Sequence, residues 1–136
     1  MKKTVVTLMT AFALAGCCDR NPLLEPAATP FDTPEFTKIE LKHYKPAFEA
    51  AIAEARADLE TLINNPEEPT FENTIVALDQ SGQLLRKVRG TFSPLSSSNS
   101  NDETRALQKE MSPISSTHND DINLNEKLFA RVKSEY

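Results

Sequence analysis

The sequence predicts an all-α protein built from antiparallel helical hairpins. Three observations point there. Beyond residue 40, apolar residues recur at three- and four-residue spacing rather than in alternation. Only 3 Gly and 2 Tyr occur, Trp is absent, and β-branched runs are scarce after the first ten residues. The links between the periodic stretches are short, which favours antiparallel neighbours.

Residues 1–16 read as a leader and not as part of the fold. Lys2 and Lys3 form a basic start, and residues 5–14 an apolar run too short to span a bilayer. Leu14-Ala15-Gly16-Cys17 then resembles the lipobox of bacterial lipoproteins, with Cys17 as the lipid attachment residue. A plain secretory leader is the alternative. Cys18 fits less well, because Cys17 would then stand where a small residue belongs. No third cysteine exists, so no disulfide framework holds the remainder. The expected location is outside the cytoplasm, membrane-anchored through the lipid and facing the periplasm or the cell exterior.

Residues 17–36 carry Pro22, Pro26, Pro30 and Pro34, a spacing that forbids helix and favours extended chain. Leu23, Leu24, Phe31 and Phe36 are too apolar for a purely solvated tether. Part of this segment is expected to lie extended across the helical body.

The body is expected over residues 37–136. A first helix spans 42–65, with Phe48, Ile52, Leu59 and Ile63 on one face beside Ala51 and Ala55. Pro46 is placed in its first turn, and Asn64, Asn65 and Pro66 end it. Thr70 opens a second helix by capping the N–H of Asn73. Its stripe runs through Ile75, Leu78, Leu85, Val88 and Phe92. Gly82 lies inside, suggesting close approach of another helix, and Arg86, Lys87 and Arg89 fall towards its C-terminal end. Residues 96–101 read as a polar loop. A third helix, capped by Asn101 or Asp102, aligns Leu107, Met111, Ile114 and His118, with a kink at Pro113. A break is expected at 119–121. A fourth helix starts at Asn125, runs through Leu128, Phe129 and Val132, and is still in progress at Tyr136.

The chemistry-bearing residues are few. A net charge of −5 without a basic cluster argues against a nucleic-acid partner. The two histidines, His43 and His118, belong to no H-E-x-x-H pattern. His118 with Asp120 and Asp121 could suggest a metal site, but a solvated helix end is the simpler reading. No phosphate-cradling glycine loop or G-x-S-x-G elbow is present. The residues therefore nominate no catalytic group and no metal ligand.

Several stretches resemble the N-terminal region of bacterial peptidyl-dipeptidases, also called dipeptidyl carboxypeptidases, which group with oligopeptidase A and thimet oligopeptidase. They are NPLL at 21–24, TPEF at 33–36, HYKPAFEAAI at 43–52, PTFENTIVALDQSGQLL at 69–85 and NLNEKLFARV at 123–132. The resemblance implies a large helical enzyme with two lobes around a channel. It implies one zinc held by H-E-x-x-H and a later Glu, and short peptides as substrates that lose C-terminal dipeptides. Those ligands would lie beyond the residues present, so this chain would supply an N-terminal helical layer, truncated and inactive alone, with no zinc bound by it. The alternative from another class is a non-enzymatic helical lipoprotein that binds a protein or peptide partner.

Overall fold

The computed structural model describes residues 20–26 and 29–134. The expected leader at 1–16 and Cys17 lie outside the described residues. All regular structure among the described residues is helical. A short 3-10 turn at Pro30–Asp32 precedes α1 (Leu41–Ile63). A π-helical turn at Phe71–Val76 leads into α2 (Ala77–Gln80), followed by α3 (Gln83–Ser98), α4 (Asp102–Asn123) and α5 (Glu126–Lys133).

α1 is the central element, and α3, α4 and α5 all pack on it. Its start is fixed when the Glu40 N–H donates to His43 Nδ1 at 2.9 Å, which satisfies one of the amides a helix start leaves without a partner. Pro46 stands in the second turn and not the first. Pro46 is exposed, as is Lys42 one turn before it, so the backbone bond that a proline cannot make is lost at the surface. Tyr44 meets Phe92 edge to face, with ring centroids 5.1 Å apart. Near the other end of α1, Asp58 Oδ2 accepts from the Gly82 N–H at 3.0 Å. The start of α1 therefore meets the end of α3, and the pair is antiparallel. Lys45 pairs with Glu110 and Arg56 with Asp121, so α4 runs parallel to α1.

The expected second helix is two helices. Gly82 adopts φ +62°, a left-handed conformation that side chains disfavour, and this turn separates α2 from α3. The close approach is present too: a Cβ at Gly82 would sit 3.4 Å from the Ala55 Cβ. Thr70 caps as expected, its Oγ1 accepting from the Asn73 N–H at 3.1 Å.

Two further boundaries differ from the expectation. α3 continues to Ser98 instead of yielding to a loop at residue 96; Leu95 packs against the core there, and the Ser96 and Ser97 hydroxyls are accommodated by donating back to the Ser93 carbonyl. α4 runs through 119–121 to Asn123, where the Arg56–Asp121 ion pair and Ile122, packed against Leu59 and Leu128, hold the last turn. α5 ends at Lys133 with the Ser134 N–H on the Ala130 carbonyl; Tyr136 lies outside the described residues. Phe129, placed on the α5 stripe from the sequence, is 67% exposed, while Leu128 and Arg131 face inward. α4 remains helical on both sides of Pro113.

The proline-rich segment meets the body around residues 21–25, where Lys87 Nζ of α3 also donates to the Glu25 carbonyl at 2.7 Å. Leu23 is completely buried among Tyr44, Phe48 and their neighbours. A turn at 21–24 delivers it, fixed by the Asn21 side chain, which donates to the His43 carbonyl at 2.8 Å and accepts from the Leu23 N–H. Leu24, Phe31 and Phe36, whose apolar character argued against a purely solvated tether, are exposed, and only part of the segment lies on the helical body.

Candidate binding groove

The break at Gly82 opens a groove beside α4. Between the α2–α3 turn and the last turns of α4 lies a cavity of about 490 Å³. Its apolar wall is Ile75, Leu78, Leu85 and Ile122, and its polar groups include Asp79, Arg86, Arg89 and His118. Because α3 starts at Gln83, Arg86 and Arg89 belong to its first half and not to a helix C-terminus as the sequence suggested.

Arg86 has a structural duty. Its Nη2 and Nη1 donate to the carbonyls of Asp79 and Ser81 at 2.6 and 3.1 Å, closing the end of α2. Arg89 is different. Its Nη2 is buried without an acceptor, and its guanidinium makes no hydrogen bond or ion pair among the described residues. His118 is 3% exposed and its Nδ1 is likewise buried without a partner. Burial, then the charges of Arg89 and Arg56, holds the His118 imidazole below its ordinary value of 6.5, against an opposing pull from Asp121. The site therefore combines an unpaired cation, a neutral imidazole and an apolar wall.

His118, Asp120 and Asp121 are not gathered into a metal site. Asp121 is engaged by Arg56, Asp120 is exposed, and no group of three or more metal-binding side chains exists among the described residues. His43, at the opposite end of α1, holds the helix cap. The described residues thus do not fit a peptidase zinc centre, and no chemical step through zinc follows from them. No helix among the described residues is long and apolar enough to cross a membrane. The groove was missed in the sequence because its walls come from segments some thirty residues apart. The Ser81-Gly82 pair, a turn signal, was the one local hint.

No protein-family model matches the chain. It is 39% identical over 112 residues to dipeptidyl carboxypeptidase of Salmonella typhimurium, and to the same degree to dipeptidyl carboxypeptidase of Escherichia coli. It is 28% identical over 109 residues to oligopeptidase A of Escherichia coli. These matches cover 82% and 80% of this chain but 16% and 15% of those relatives. The chain spans about one sixth of the length of the curated relatives it matches.

Proposed function

We propose that this chain, which is homologous to a segment of the dipeptidyl carboxypeptidases and of oligopeptidase A, contributes a helical wall to a zinc peptidase that releases dipeptides from the C-termini of short peptides. The observation that carries the reading is the 39% identity across 82% of the chain. In this reading the zinc ligands and the catalytic glutamate belong to other parts of the enzyme. The role of the present helices is mechanical and steric: α1, α3 and α4 form a rigid layer that borders the peptide path. We further propose that the protein lies outside the cytoplasm, tethered by a lipid on Cys17, a reading supported by the basic and apolar start and the Leu14–Cys17 pattern of the sequence.

A chimera tests the peptidase role. Residues 20–134 replace the homologous segment of the Escherichia coli dipeptidyl carboxypeptidase, and dipeptide release from a blocked tripeptide is measured. Activity within about tenfold of the parent supports the reading. A chimera that is folded and monodisperse, yet lacks activity, refutes it. The anchor is tested separately by Cys17→Ser, which should abolish fatty-acid labelling of the full chain in a bacterial host. Labelling that persists in the mutant refutes the anchor and leaves the peptidase role standing.

A further inference from the structure

Two arginines with buried guanidinium nitrogens stand in this small fold, and their surroundings differ. Arg131 of α5 is held by the fold, although its Nε too is buried without an acceptor. Its Nη1 donates to the carbonyls of Asn65 and Glu67 and its Nη2 to Asn73 Oδ1. Arg89 has no such set. Removing a charged nitrogen from water without giving it an acceptor is costly, and native folds rarely leave one so. Beside it His118, almost fully buried, also leaves a ring nitrogen without a partner. Both residues line the 490 Å³ cavity.

The cavity has the size of a small-ligand site. Its polar lining carries two guanidinium groups against the single carboxylate of Asp79, in a chain whose net charge is −5. This local reversal of sign, beside a wall of three leucine or isoleucine residues and Leu85, describes the complement of a molecule with one anionic end and one apolar end.

We propose that this cavity binds a small apolar carboxylate, its anion on the Arg89 guanidinium and its hydrocarbon part against Ile75, Leu78, Leu85 and Ile122. A guanidinium suits a carboxylate because its charged N–H groups donate to the carboxylate oxygens. Arg86, held to the carbonyls of Asp79 and Ser81, adds positive charge at the mouth. The inference stands on the cavity and goes beyond the peptidase reading; it survives or falls separately from the chimera experiment. The same chemistry is offered by a free arylalkanoic acid and by the C-terminal residue of a peptide, so the probes separate these sources.

The full chain is titrated calorimetrically with 4-phenylbutyrate and with N-acetyl-leucine, each beside its primary amide, and with inorganic phosphate. Binding of either acid at least about tenfold tighter than its amide, and lost by about tenfold in Arg89→Gln, supports the site. Preference for N-acetyl-leucine names the peptide end as the source, and preference for 4-phenylbutyrate names the free acid. Arg105→Gln, an exposed change elsewhere, should leave the affinity unchanged. Equal binding of acid and amide overturns the proposal, since the groove would then be merely apolar. So does phosphate binding as well as the acids, or no binding by any probe. The acid-to-amide ratio in the unaltered chain decides the matter even where Arg89→Gln fails to fold.

Discussion

The two ends of α1 are held by different physics. The N-terminal half lies in a dense apolar core: Tyr44, Ala47, Phe48 and Ala51 are buried against Leu85, Val88, Phe92, Leu107 and Met111, with Leu23 closing one side. The C-terminal end has only Leu59, Leu62 and Leu128 fully buried, with partly exposed neighbours around them. There the structure relies on polar ties, chiefly Arg131 reaching three acceptors in the 65–73 link and Lys127 reaching Asn64. Burial of apolar area is non-directional and shared by many partners, whereas a charged hydrogen bond to a carbonyl acts between two points. The first end should therefore govern whether the chain folds. The second should govern how its last helix and the link at 64–76 are held.

The largest effect should come from the dense end. Phe48 is 1% exposed, and Phe48→Ala should cost about 3–5 kcal/mol by lost transfer and cavity formation. Against the modest stability of a small domain this is enough to abolish a cooperative thermal transition followed by far-UV dichroism. A variant that melts within a few degrees of the parent would show that the core is not where the stability resides.

Arg131→Ala should have the next largest effect, about 2–3 kcal/mol, because it leaves the carbonyl of Asn65 without its donor in a half-buried setting. Its location matters more than its size. Amide exchange in α5 and in residues 64–76 should accelerate, while amides of Phe48 and Val88 keep their protection. Uniform acceleration along α1 would mean that the two ends form one cooperative unit.

Between the two ends sits the Gly82 turn. Its φ of +62° makes Gly82→Ala costly by about 1–2 kcal/mol. The added methyl group meets the Ala55 Cβ at 3.4 Å, a contact the neighbours can tolerate. A melting temperature unchanged or raised in Gly82→Ala would show that the break between α2 and α3 is not fixed by this conformation.

How far the sequence disclosed this arrangement follows from the range of each interaction. The α1 face was legible because 23 residues sample the helical period many times. α5 has 8 residues, and over so few the stripe did not distinguish Phe129, which is exposed, from Arg131, which is buried. The long α4 was cut short in the reading because Asn119, Asp120 and Asp121 favour turns locally, and only Arg56, on another helix, gives Asp121 a reason to stay helical. Gly82 was noticed for its size, whereas its decisive property is a dihedral angle. Of the groove only the Ser81-Gly82 turn signal is legible, since Arg89 and His118 become neighbours only when α3 and α4 pack on α1. The family resemblance, by contrast, was carried by runs of contiguous residues such as 43–52 and 69–85, and the relatives bear it out.

The smallest predicted effect concerns pH, and it probes the joint between the two ends from the α4 side. Burial, with Arg89 and Arg56, keeps His118 below its ordinary value of 6.5 in the folded chain, although Asp121 pulls the other way. The unfolded chain, without these neighbours, takes up the proton near the ordinary value. Between the two values the unfolded state binds more protons, so stability rises with pH across that interval. The contribution of neutral His118 is thus complete above about pH 6.5 and fades as the pH falls below it. Melting temperatures measured from pH 7.5 to pH 5 should decline, and His118→Asn should flatten that decline while leaving any carboxylate-driven loss at lower pH in place. The comparison of slopes, and not of absolute stabilities, isolates the imidazole. A variant whose slope matches the parent would mean that His118 is already hydrated in the folded chain, and that the cavity it shares with Arg89 is polar enough to accept its charge.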